Sequence, residues 1–191
     1  LLERILTRSI DANGGTVDSS RTRPAELVEL DQNGELLHAV WTHWVWTGDT
    51  ELIRQNLPKL VRIGEYLQRP EFVDPASGLL HNSREYWERD AHFGVRDGFE
   101  NSYQLWTIVG FEALADMVEE VGGDSAAAGR WRDAARKLRT AFLSHPRHAL
   151  VADGAFIKRR LPDGAVQRQL VPPNRASLPP GMPLSTEAEN Y

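Results

Sequence analysis

The residues best suited to chemistry lie between Asp74 and Asn101. This stretch carries Leu79, Leu80, Tyr86, Trp87, Phe93 and Phe99 among many ionisable groups, and its centre reads Asn82-Ser83-Arg84-Glu85-Tyr86-Trp87-Glu88-Arg89-Asp90-Ala91-His92-Phe93. Long loops inside compact domains are often functional. Carboxylates beside aromatic rings suit a carbohydrate. Rings stack on the apolar faces of pyranoses, and a carboxylic acid against an apolar wall keeps its proton near neutral pH. Glu88 stands here with Glu85, Asp90 and Glu100 as rival acids. The plainer reading of Glu88 is a surface ion pair with Arg84 or Arg89, a contact worth little.

Other constellations offer less. His38 and His43 are five residues apart, an awkward spacing for two metal ligands on one helix face. His92 could bind a hydroxyl or simply bond to backbone. Gly14-Gly15 and Gly122-Gly123 read as turns, because no Gly-Lys-Ser/Thr or strand context makes them phosphate cradles. The serines near His145 show no nucleophile elbow. Cysteine is absent, so disulfides, thiolate nucleophiles and cysteine metal sites are excluded from these residues. Nothing calls for a cofactor or a metal.

The chain must hold such groups on a folded frame. Its 191 residues, 41% hydrophobic and 26% charged, suffice for one sizeable core. No apolar run approaches the roughly 18 residues of a membrane helix. Lys and Arg number 22 against 27 Asp and Glu, a formal charge of −5, which argues against a nucleic-acid surface. The expected partner is an oligosaccharide or other glycoside, not nucleic acid or membrane. Leu1-Leu2-Glu3-Arg4 opens like the middle of a helix, so the chain is expected to be a piece of a longer protein.

Apolar periodicity predicts five helical segments: residues 1–10, 31–47, 50–69, 103–121 and 126–142. Leu36, Leu37, Val40, Trp41, Trp44 and Val45 form one apolar face of the second. Trp41 and Trp44 are expected in the core, as are Trp106 and Trp131, whereas Trp87 is the better candidate for touching ligand. Pro58, with Asn56 able to cap a new start, predicts that 50–69 is two helical pieces. The turns Gly48-Asp49 and Gly123-Asp124 join helices into two hairpins, with Asp49 or Thr50 and then Asp124 as caps. Residues 11–24 read as loop. Residues 149–151, 155–161 and 165–171 read as short strands turned by Asp153-Gly154 and Pro162-Asp163-Gly164. The proline-rich 172–183 reads as loop or extended chain. The expected fold is mainly α, an array of helical hairpins with a small β excursion near 149–171.

The order of several motifs resembles a known family. Glu29-Leu30-Asp31-Gln32-Asn33-Gly34-Glu35-Leu36-Leu37 opens a helix that ends in Trp46-Thr47-Gly48-Asp49. Asp74-Pro75-Ala76-Ser77-Gly78-Leu79-Leu80 and Tyr86-Trp87-Glu88 follow. Later come Gly123-Asp124, a helix with Trp131 and Ala135, and Gly154-Ala155-Phe156-Ile157-Lys158-Arg159. Over residues 20–165 this order resembles the glucoamylase family and its relatives among six-hairpin glycosidases. The resemblance implies that residues 1–191 form part of a single (α/α)6-toroid catalytic domain, incomplete at both ends. It implies inverting removal of a terminal sugar, most simply glucose from an α-glucoside. Glu88 would be the general acid, flanked by Trp87 and Arg89, with Asp31 or Asn33 contacting hydroxyls of the terminal sugar. The family's commoner Arg-Asp-Gly form is replaced here by Asp31-Gln32-Asn33-Gly34. An inverting enzyme needs a second carboxyl about 6.5–9.5 Å from the acid, and the resemblance places that base in a later hairpin, outside this chain. A trehalase- or rhamnosidase-like relative would shift attention to Asp90 or Asp97. A non-enzymatic α-hairpin carbohydrate-binding scaffold is the competing class.

Overall fold

The computed structural model describes residues 1–17, 28–82 and 98–167. It is mainly helical. The helices are α1 (Leu2–Arg8), α2 (Leu30–Thr47), α3 (Glu51–Leu67), α4 (Asn101–Glu120) and α5 (Ser125–Ser144). Five two-residue strands accompany them: β1 (Phe99–Glu100), β2 (Val151–Ala152), β3 (Ala155–Phe156), β4 (Arg159–Arg160) and β5 (Val166–Gln167). β1, β4 and β5 form one antiparallel sheet in the order β1-β4-β5, and β2 pairs with β3 in a hairpin.

Two antiparallel helical hairpins carry the fold. Gly48 ends α2 with φ 72°, a left-handed conformation that favours glycine, and its N–H returns to the Trp44 carbonyl. Asp49 Oδ1 then accepts the Glu51 N–H at 2.9 Å, satisfying an orphan donor of α3. In the second hairpin Asp124 accepts the Ala127 N–H at 2.8 Å and caps α5. Arg132 meets Asp116 and Glu119, and Arg139 meets Glu112, across α4 and α5.

Packing between the hairpins fixes their direction. A Cβ added to Gly122 would meet Leu57, and one added to Gly64 would meet Leu114 and Trp131. The C-terminal end of α4 therefore lies beside the first half of α3, and the two run antiparallel. Since α2 also opposes α3, α2 and α4 point the same way and begin at the same end.

Their closest approach is at Gly34 and Gly110. A Cβ on Gly110 would sit 2.8 Å from the Gly34 Cα, and one on Gly34 would collide with the Trp106 carbonyl. Both neighbours are backbone and neither can swing aside. Gly34→Ala should cost roughly 2–3 kcal/mol, as overpacking typically does, read as a lowered midpoint in urea unfolding followed by circular dichroism. An unchanged midpoint would show that the helices separate freely here.

Around this contact Leu30, Leu37, Val40, Leu60, Ile63, Leu114, Met117, Trp131 and Leu138 form one core. The predicted inward face of α2 needs correction at its C-terminal end, since Val45 is exposed. Trp41 and Trp44 pack half-buried against the core, Trp106 is half-buried, and Trp131 is buried. α3 is also continuous through Pro58, contrary to the expected break. Proline there forfeits only the bond to the Arg54 carbonyl, on an exposed face of the helix. Asn56 does not cap a new start but donates to the Leu52 carbonyl at 2.8 Å.

The β excursion falls within the expected region, and its turns hold positive φ at Asp153, Gly154 and Gly164. The strands predicted at 149–151 and 155–161 are shorter than expected, one partner, β1, lies far upstream, and 168–171 of the last predicted strand lie outside the described residues. Residues 18–24 of the first loop and the proline-rich 172–183 lie outside the described residues.

Candidate functional site

The shared starting end of α2 and α4 gathers several of the buried polar side chains among the described residues. Leu80 and Gln104 form a clip between the chain before α4 and the helix itself. Gln104 Oε1 accepts the Leu80 N–H at 2.8 Å, while its Nε2 donates to the carbonyls of Leu80 (2.7 Å) and Glu100 (3.0 Å). Asn82 Nδ2 donates to the Val28 carbonyl at 2.6 Å, tying the same chain to the start of α2. Glu29, which precedes α2, is buried as well.

Glu100 and β4 complete this end. Glu100 is buried at 2% exposure, and Arg159, also 2% exposed, brings Nη2 to 2.8 Å from Glu100 Oε2. Lys158 Nζ lies 3.6 Å from Oε1. Antiparallel pairing sets this geometry, because β1 and β4 align Glu100 with Arg159. Asn101 adds two ties to β4's approach, its N–H to the Lys158 carbonyl and its side-chain amide to that of Ile157. A carboxylate between two cations suits ion pairing and positioning; it is poorly placed to give up a proton.

The expected substrate residues divide clearly. Asn33 is fully buried, and its amide donates to the carbonyls of Gly14 (2.8 Å) and Ile63 (3.2 Å) and accepts the Thr16 N–H (3.2 Å). It joins α2, α3 and the 10–17 loop, so the structure gives it a cross-linking role. Asn33→Ala should cost about 1–3 kcal/mol by stranding buried backbone groups, visible as a lower thermal midpoint. An unaltered midpoint would free Asn33 for a ligand role. Asp31 is half-buried in the first turn of α2, where Oδ1 accepts the Gln32 N–H at 2.9 Å. One turn on, burial and then repulsion by Asp31 raise the Glu35 carboxyl above the usual range, although Glu35 keeps solvent access. Asp31 and Glu35 thus stand one turn apart on one helix face, beside His38, whose ring stacks on Trp41 at 5.5 Å.

Glu88, Trp87, Arg89 and His92 lie outside the described residues, as do the rival acids Glu85, Asp90 and Asp97. The residues that bracket them are firmly placed. Asn82 is buried on Val28, and Gly98 lies so close to the Arg160 carbonyl that a Cβ there would collide with it. Both brackets stand at the polar end of α2 and α4. Nearby, burial would raise the Asp74 carboxyl, but hydrogen bonds from Ser77 Oγ and N–H, with His81 and His148, outweigh it and hold it below the usual range.

Sequence reasoning missed Lys158, Arg159, Gln104 and Asn82 as members of this cluster. A signal existed for Arg159. It alternates with Ile157 and Leu161, both buried, so a two-residue period places it inward. Among the described residues no group of three or more His, Cys, Asp or Glu is arranged to hold a metal ion. No family model, curated protein or solved structure matches the chain.

Proposed function

We propose that the chain is part of an α/α-toroid glycoside hydrolase domain that removes a terminal sugar with inversion, most simply glucose from an α-glucoside. Glu88 is its general acid, Trp87, Arg89 and His92 shape the sugar subsite, and Asp31 contacts the terminal sugar. The catalytic base comes from residues outside this chain.

One observation carries this reading. Two helical hairpins lie side by side with their first helices parallel, and Asn82 and Gly98, which bracket the Glu88 stretch in sequence, stand at the common N-terminal end of those helices. Repeating the unit around an axis would collect the helix starts, with their partial positive charge and orphan N–H groups, around one opening. Acids and aromatic rings at such an opening would stabilise an oxocarbenium-like transition state.

The test is proton NMR of maltotriose incubated with the protein made from the complete gene, following the anomeric signals from the start. Early β-glucose is the expected result, because inversion of an α-linkage releases the β-anomer. Early α-glucose would mean retention and sink the inverting mechanism. No hydrolysis of maltotriose, followed by none across a panel of trehalose, rhamnosides and other glycosides, would favour a carbohydrate-binding scaffold.

A further inference from the structure

We propose that the turn after α5 is an acid-sensitive latch built from His145 and His148. His145 Nδ1 accepts two main-chain N–H groups, from Arg147 at 3.3 Å and His148 at 2.9 Å. A ring nitrogen that accepts must present a bare lone pair, so this His145 is neutral with its proton on Nε2. His148 Nε2 lies 3.0 Å from the Pro162 carbonyl oxygen, which can only accept. Its proton therefore also sits on Nε2, leaving Nδ1 buried and without a hydrogen-bond partner. The two rings stack at 5.0 Å and 11°, and Phe99 meets His148 at 4.9 Å.

Acid reverses this chemistry. A proton on His145 Nδ1 turns the shared acceptor into a donor facing two other donors. A proton on His148 places a cation against the His145 ring in a buried site. The surrounding charges partly oppose these effects. Asp74 faces His148 with His81 beside it, and the C-terminal end of α5 favours a cation at His145. Arg147 and Arg160 are committed to carbonyls, Arg147 to that of Asp163 and Arg160 to those of Ala149 and Gly164. Glu100, next to Phe99, is engaged by Arg159 and Lys158. At half-exposed His145 the helix end is screened by solvent, so loss of both accepted bonds decides the sign. The latch holds while both imidazoles are neutral and loosens as they take up protons.

Loosening has a reach beyond the turn. Residues 145–150 close onto α5 through Leu150 N–H to the Phe142 carbonyl, and lead into β2, β3 and then β4. Acid thus weakens the support of the strand that presses Arg159 against Glu100. This inference stands apart from the glycosidase reading.

The experiment is amide hydrogen exchange by NMR on the full chain at pH 7.5 and 5.5, corrected for intrinsic rates, with nitrogen-15 observation of the imidazoles. Protection at Arg147 and His148 should fall roughly fivefold at the lower pH, about 1 kcal/mol for a lost hydrogen bond. His145→Asn keeps an acceptor in an Asx turn but does not titrate, and should retain protection at both pH values. Equal protection of the wild type at both pH values would overturn the latch. So would the same acid loss in His145→Asn, or a protonated Nδ1 on His145 at pH 7.5. The imidazole signals of the wild type decide the matter even if the variant does not fold.

Discussion

Arg159→Met should destabilise the folded chain by about 3–5 kcal/mol, the usual consequence of removing one partner from a buried ion pair. Glu100 would be left 2% exposed, with Lys158 Nζ 3.6 Å from its carboxylate. Most of that loss is the penalty for depriving a buried carboxylate of its 2.8 Å partner, not the worth of the pair. Arg159→Met combined with Glu100→Leu should therefore lose much less than the single change, because both charges leave together. Lys158 can then extend its ammonium toward water along its flexible stem. Urea unfolding of the wild type, both single variants and the double variant yields the coupling energy. A cost below about 1 kcal/mol for Arg159→Met, the range of exposed pairs, would show that water reaches Glu100 and that the cluster is a surface feature.

That pair also marks where sequence reading stops. The hairpin turns were legible because their chemistry is local. Gly48 takes a left-handed conformation after a helical pattern, and Asp124 reaches the N–H three residues on. Glu100 and Arg159 are 59 residues apart, 159 − 100, and meet only because two-residue strands pair. Lys158-Arg159-Arg160 looks like a solvated basic run unless the alternation of Ile157, Arg159 and Leu161 is given priority. Pro58 misled for a related reason. Its local penalty is real, but α3 is held by a buried face containing Ile53, Leu60, Ile63 and Leu67, and tertiary packing outweighs one lost hydrogen bond. Asn33 is legible only in part. A polar residue in the first turn of a helix fits a sugar contact equally well, and only the approach of Gly14, Thr16 and Ile63 makes it a cross-link.

Glu88→Gln should lower kcat for maltotriose in the protein from the complete gene by about 10²–10⁴-fold, the range set by a positioned general acid. The amide matches the carboxyl in size but has no acidic proton for the departing glycosidic oxygen. The thermal midpoint should barely move, whereas Arg159→Met lowers it sharply. This contrast separates a residue that acts from one that supports. Leaving-group chemistry supplies the sharper test. An activated aryl glucoside departs with little need of protonation, so Glu88→Gln should cost far less on that substrate than on maltotriose. Equal losses on both would move Glu88 from proton transfer to positioning, and retention of most activity would remove it from the mechanism. In either case the same pair of substrates would next be applied to Glu85, Asp90 and Asp97, the other acids between Asn82 and Gly98. Glu100 is a poorer successor, because its carboxylate is already committed to Arg159 and Lys158.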